Sequence, residues 1–306
     1  MKEAPSPAAS STPKPSAPVT AQETAAVFKD YAERNNAANA ALSDKLLAGY
    51  EGGSSLAIDK ASYASTRKLG GNDDYVPFGY DRPAFHVPAA RERWFLTTAY
   101  WKGKTETAKE PTYLIFARDG EFWRQMYAPD TYASVDLPEI RTDASGAAAE
   151  VGQEDATGLL MSPAAFAEGY AAHLVGQGTP AEKTRFAADK LTTGAASNRR
   201  KMDKYARLAE IAHPAAAYPS YALRTADGGA LAFTTIERSK RYNVRPGPER
   251  NYVFQKDNGL LPGKYYTYME MEELIQVVAH IPPKSAEPGQ IQVLGAYSGI
   301  ISGSGR

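Results

Sequence analysis

At 306 residues the chain exceeds what one small core needs and suits two domains. Its 35 Lys and Arg balance 35 Asp and Glu, so the formal net charge is zero. That leaves no long-range field to gather nucleic acid or anionic lipid, which argues against both as general partners while leaving local patches open. Cysteine is absent, which removes disulfides, thiolate metal sites and cysteine nucleophiles. No apolar run approaches the roughly 18 to 20 residues of a membrane-spanning helix.

Glu3 to Thr20 is almost wholly Pro, Ser, Ala and Thr. Such a segment has no apolar face to bury and cannot offset its ordering entropy, so residues 1–20 read as a disordered tether. Tethers of this composition often stand where a bacterial lipoprotein leaves the membrane. The expectation is a secreted, lipid-anchored chain whose signal peptide and anchor cysteine lay upstream, with Met1 added for expression. An ordinary disordered cytosolic tail is the alternative.

Val27, Phe28, Tyr31, Leu42, Leu46 and Leu47 recur at helical spacing, predicting one long amphipathic helix over 20–50, stopped by Gly49 and Gly52-Gly53. A second helix is expected around 56–69 and a loop over 70–82. Strand signals follow at 85–87, 94–101, 113–117 and 122–127. The stretches 93–102 and 111–127 form the densest aromatic and β-branched region of the first half, and 94–101 carries large apolar side chains on both faces. Asp119-Gly120 offers the positive φ that a tight hairpin needs, and Ser145-Gly146 marks another hairpin.

The second half restarts with helices. Ser162-Pro163 opens one to about Val175, the capping box Thr179-Pro-Ala-Glu182 starts another to about Leu191, and a third is predicted over 197–212. Strands are then read at 221–225, 230–244, 264–281 and 290–301. Phe28, Phe95 and Thr97 recur 138 residues later as Phe166, Phe233 and Thr235. The expected fold class is α+β, as two tandem modules at 21–156 and 157–302 and a flexible tail at 303–306. Each module has N-terminal helices followed by a curved antiparallel sheet, an order that resembles the cystatin-like and nuclear-transport-factor-2-like folds.

A family resemblance rests on Phe85-His-Val-Pro88, Arg93-Trp-Phe95, Leu114-Ile-Phe-Ala-Arg-Asp119, Trp123-Arg124 and Tyr127-Ala-Pro129, with Tyr221 to Thr234 as a second signature. Over roughly residues 22–302 the chain resembles a domain of unknown function found in actinobacterial, Streptomyces-type lipoproteins. The resemblance implies an extracytoplasmic location and an architecture, and brings no catalytic residues.

The chemistry-bearing residues are sparse. His86, His173, His213 and His280 show no metal-ligand spacing and read as strand-face, cap or helix-end residues, with His213 expected at a helix C-terminus. A loose Gly-x-Ser-x-Gly at the tail has the wrong register for a nucleophile elbow. On the predicted strand 264–281, Tyr266, Tyr268, Glu270 and Glu272 share one face, opposite Tyr265, Thr267, Met269 and Met271. Two carboxylates so spaced can serve acid/base work or cation binding. The plainer reading is a solvated face, with a bulge near Glu272-Glu273 returning Leu274 or Ile275 to the core. Tyrosines, with Trp94, Trp101 and Trp123, can line a groove for sugars or peptides, Trp101 being the candidate on the sheet face the long helix leaves uncovered. Asn198-Arg-Arg-Lys201 reads as a solvated helix face. The sequence therefore points to a non-catalytic binding or scaffolding component of the cell envelope. It implies no cofactor or metal, an envelope protein or small ligand as partner, no nucleic acid, and membrane contact only through a lipid anchor. A small-molecule binder or enzyme with a concave sheet pocket is the alternative.

Overall fold

The computed structural model describes residues 19–89, 94–102, 110–133, 135–247, 250–286 and 289–306. Nearly all of the expected tether, and Arg93, lie outside the described residues. Helix α1 (Ala21–Ala41) is capped by Thr20, whose hydroxyl accepts from the Glu23 amide at 3.1 Å. It does not run on to Tyr50. Leu42 takes a left-handed conformation at φ 45°, and Ser43 then caps the four-residue α2 (Asp44–Leu47). The apolar spacing carries across this break because α2 returns Leu47 to the core that holds Phe28 and Tyr31. Helix α3 (Gly53–Lys68) follows.

Strand β1 (Gly79–His86) begins inside the expected loop. It is an edge strand whose pairing slips between Asp81 and Ala84, where Arg82 sits at φ 49° and Pro83 follows, the bulge position that proline tolerates. Strands β2 (Trp94–Lys102), β3 (Thr112–Asp119), β4 (Phe122–Tyr127) and the short β5 (Asp130–Thr131) complete the first half. Gly120, at φ 59°, makes the predicted β3–β4 hairpin, and Gly146 (φ 83°) turns the second one.

In the second half, α4 (Pro163–Leu174) is capped by Ser162 as expected. The capping box at Thr179 forms, but α5 (Pro180–Lys183) stops after four residues, because Phe186 turns into the core and Asp189 caps a new helix, α6 (Lys190–Met202). The predicted helix 197–212 is overturned in its second part. Residues 206–214 form β6 (Ala206–Pro214), with Arg207, Ala209, Ile211 and His213 exposed at a period of two. Its Ala, Arg, Leu and Glu favour helix, and pairing along its whole length with residues 236–244 of β8 outweighs that propensity. Strands β7 (Tyr221–Arg224), β8 (Ala230–Val244), β9 (Tyr268–Ile281) and β10 (Gln292–Gly305) follow.

All ten strands join one antiparallel, unclosed sheet in the order β1-β2-β3-β5-β10-β9-β8-β6, with β4 on β3 and β7 on β8. The two-residue β5 is the seam, pairing β3 on one side and β10 on the other. The sheet curls until strands from its two halves share a core. Trp94 meets Tyr221 at 4.8 Å, and Phe233 meets Tyr113 at 5.7 Å and Tyr127 at 6.1 Å. This corrects the expectation of a sheet face left open by the long helix: α1 covers Phe95, Leu114 and Phe116, and the opposite face is filled by this second core. Helix α4 and Phe186 seal a third core on Ile275, Val277 and Ala279 of β9.

A fully buried polar network pins α3 to the centre of the sheet. Gln276 Nε2 donates at 2.9 Å to Ser54 Oγ and Ser55 Oγ and at 3.0 Å to the Met126 carbonyl, while its Oε1 accepts from the Ala128 amide. Ser54 reaches Thr235, and Thr235 reaches Tyr127. Residues from both halves of the chain thus satisfy one another in a region closed to water.

Candidate functional site: a buried carboxyl pair ringed by tyrosines

Two short-range features place Glu51 and Asp59 together. The turn after α2 lays Tyr50 and Glu51 along β4, with the Gln125 amide donating to the Tyr50 carbonyl at 2.8 Å. Asp59 follows Ile58 on the inner side of α3. Glu51 is only 2% exposed, and the two carboxyls come close enough to share a hydrogen bond. Tyr297 of β10 donates its hydroxyl to Asp59 Oδ1. Burial, and then the neighbouring Asp59, push the Glu51 carboxyl well above the ordinary range. Burial likewise raises Asp59, against the two hydrogen bonds it accepts. With both groups ionised, Glu51 Oε2 would stand buried without a donor; protonated, it donates to Asp59. Burial and mutual proximity therefore favour a protonated carboxyl at the pair.

Five tyrosines surround the pair: Tyr31, Tyr50, Tyr63, Tyr80 and Tyr297. Burial first, and the carboxyls with it, raise all five hydroxyls. Tyr50, 3% exposed, has the Tyr63 hydroxyl as its neighbour. Tyr31 is held by an asparagine ladder along α1. Asn39 donates to Asn35 at 2.6 Å, Asn35 donates to Tyr31 at 2.9 Å, and Tyr63 donates to Asn39 at 2.5 Å. Outside the pair, a cavity of about 160 Å³ lies between α1 and the β3–β4 hairpin, and Tyr31 and Tyr50 are part of its wall. The arrangement suits a hydrogen-bond donor or a cation that can replace the shared proton.

Sequence reasoning named Tyr31 only for its helical spacing, the other tyrosines only through the general abundance of tyrosine, and neither carboxyl. The readable signal was Asn35 and Asn39, polar residues four apart on the buried side of an Ala-rich helix. Of the sequence-predicted candidates, Trp101 borders this site. Its ring packs on Tyr80 at 4.9 Å and Phe78 at 4.7 Å, and its Nε1 donates to Asp130 at 2.9 Å. The other candidates lie on β9 and the loop before it, apart from the carboxyl pair. Arg241 stacks over Tyr268 at 4.1 Å and pairs with Glu270, Ser239 donates to Glu272 at 2.5 Å, and Tyr266 is exposed. Met269 and Met271 are buried on the opposite face, as the alternation predicted. The bulge expected near Glu272-Glu273 occurs in β10, between Ile300 and Ser302, and β9 keeps its alternation. Leu274 and Ile275 are both buried because each face of the sheet is covered there.

On the other face, Glu273 is clamped by Arg238 at 2.6 Å and Lys240 at 3.1 Å, and Glu210 by Arg199 at 2.7 Å. Burial alone would raise Glu273; the two cations outweigh it and hold its carboxyl below the ordinary range. This network is satisfied and reads as structural. Arg199 of the predicted solvated cluster is thus an ion-pair residue. His173 stacks on Phe186 beside a second cavity of about 350 Å³, while His213 lies on β6 and not at a helix end. Among the described residues no three His, Cys, Asp or Glu side chains are grouped to hold a metal, and no helix is long and apolar enough to cross a membrane.

A family profile described as "Domain of unknown function (DUF8094)" matches residues 16–305. The Streptomyces coelicolor protein named "Uncharacterized lipoprotein SCO2278" is 30% identical over 298 residues, covering 94% of this chain and 86% of its own. A second S. coelicolor protein, "Uncharacterized lipoprotein SCO6871", is 28% identical over 241 residues, covering 74% and 66%. No solved structure matches.

Proposed function

The chain belongs to this DUF8094 family, whose matched relatives are named lipoproteins, and from that premise we propose a lipid-anchored, extracytoplasmic protein that binds a small donor-rich ligand. The observation that carries the binding role is the buried Glu51–Asp59 pair, whose Glu51 Oε2 has no donor, behind the tyrosines that wall the cavity. A primary amine would supply donors to both carboxyls and present its charge to tyrosine faces. Enclosure favours holding over turnover, since substrate and product would have to pass the Tyr31–Tyr50 wall.

The test is thermal denaturation of the chain with putrescine or spermidine, against a neutral polyol. The reading expects an amine-specific rise in Tm that disappears in Glu51→Gln and Asp59→Asn. An equal rise in the variants, or none in the parent, would count against it. Anchoring is tested separately, by feeding cells that express the whole gene a clickable fatty acid and asking whether the product is labelled. We also read residues 21–156 and 157–302 as two modules of common, cystatin-like or nuclear-transport-factor-2-like descent. Phe28 and Phe166 both lie on helices, and Phe95 and Phe233 both lie on long strands, which supports that reading. Superposing the halves should pair these residues; a superposition that separates them removes the idea.

A further inference from the structure

The chain is neutral overall, yet residues 238–268 carry seven Lys and Arg against two Asp and Glu. They also carry six Tyr and Phe. The loop between β8 and β9 sorts these residues by face. Val253 and Tyr265 exchange backbone hydrogen bonds at 2.9 and 2.8 Å, and Val253 and Leu261 are buried. In extended backbone, the neighbours of Val253 must point the other way. Phe254 is accordingly 54% exposed, Tyr266 is 38% exposed, and Tyr205, across a cavity of about 320 Å³, is 40% exposed.

Cations stand over these rings. Arg250 lies 4.0 Å from the centroid of Tyr266, Lys264 lies 4.2 Å from that of Tyr252, and Lys204 lies 4.5 Å from that of Tyr205. Among the described residues none of the three has a carboxylate partner, whereas the nearby Arg245 and Lys256 are paired with Asp203 and Asp257. An exposed apolar ring is costly in water, and a cation stacked on a ring but without an acid keeps its charge free for an anion. Both gain at a phospholipid headgroup layer, where aromatic bodies settle at the interface and long basic side chains reach anionic phosphates.

We propose that this aromatic and basic surface, centred on residues 250–266, docks the protein onto the anionic headgroup face of a phospholipid bilayer. The choice of bilayer over nucleic acid rests on the lipoprotein reading above; the docking itself needs no lipid anchor. A tether alone leaves the folded chain free to tumble. A second contact would fix which face meets the membrane.

The experiment is co-sedimentation of the anchorless chain with phosphatidylglycerol-containing vesicles and with pure phosphatidylcholine vesicles, at low and physiological salt. Partition should favour the anionic vesicles and weaken with salt. Removing one cation should lower it about fivefold, and Arg250→Ser with Lys264→Ser on the order of 25-fold. Phe254→Ser should weaken binding even at low salt, and Arg250→Lys should retain it. These positions are exposed, so unchanged circular dichroism and Tm serve as the folding control. No binding to anionic vesicles, or binding indifferent to these variants, overturns the proposal. So does equally tight binding of heparin that Phe254→Ser leaves intact, since that marks a generic polyanion site. Fatty-acid labelling can fail while vesicle binding holds, or the reverse, so the two readings are separable.

Discussion

At the scale of single residues, Gln276 and Glu51 make opposite demands on the interior. Gln276 is a buried amide with every polar atom used, so replacing it strands partners as well as losing bonds. Gln276→Leu should cost about 2–4 kcal/mol, by analogy with other broken buried networks, and urea unfolding should show the midpoint falling with an unchanged slope. Glu51 instead is pushed by burial toward the protonated form, more than in the unfolded chain. Its folded pKa is raised, so the folded state binds more protons than the unfolded one at pH values between the two, and stability falls as pH rises through that window. Asp59 acts in the same direction. His86 and His173 are lowered by burial, so they lose stability as pH falls through about 6.5, which leaves the range above pH 7 for the carboxyls. Above pH 7 the parent should lose stability as pH rises, at no more than about 1.4 kcal/mol per pH unit for one proton, and Glu51→Gln should flatten that slope. Chemical denaturation at several pH values checks both parts; parallel curves would show that Glu51 is ionised in the fold.

Among the elements, strands whose turns carry a glycine were legible and boundaries set by distant partners were not. Asp119-Gly120 fixed β3 and β4, and β8 lies at 230–244, where the sequence placed a strand. The β6 segment misled because Ala, Leu, Arg and Glu favour helix locally, while the nine residue pairs it makes with β8 are invisible in its own sequence. The carboxyl pair was hidden for a related reason: Glu51 follows a helix and Asp59 lies within one, and only their packing against β4 and β10 makes them neighbours. Trp101 stood out in the sequence because aromatic density is a local property; its tie to Asp130 did not. Edge placement has its own consequence. Ile211 on β6 is 64% exposed and belongs to a strand that ends the sheet, an open template for pairing with another chain. Ile211→Lys should change stability by less than about 0.5 kcal/mol while lowering light scattering on prolonged heating. A large loss of Tm would mean that Ile211 packs against something and is not an edge hazard.

For the whole molecule, one ten-stranded sheet has a thermodynamic consequence that tandem ancestry does not. The core that joins Trp94, Leu96 and Tyr113 to Phe233, Val278 and Leu294 draws on both halves, so neither can shed its share without opening the other. The Gln276 network crosses the same boundary, and among the described residues the short β5 is the only strand linking β3 to β10. Two domains joined by a linker would unfold in two steps, each reported by its own chromophores. Here Trp94, Trp101 and Trp123 all lie in the first half, whereas β8, β9 and β10 hold the longest strands. Tryptophan fluorescence and far-ultraviolet circular dichroism should therefore trace coincident denaturation curves, despite a length at which multidomain chains often deviate from two-state behaviour. Phe233→Ala sharpens the test. It removes a ring from the second half that touches Tyr113 and Tyr127 of the first, and should cost about 3–5 kcal/mol. If the halves are thermodynamically one, both probes shift together by that amount. If fluorescence stays in place while dichroism moves, the shared core is too weak to couple them.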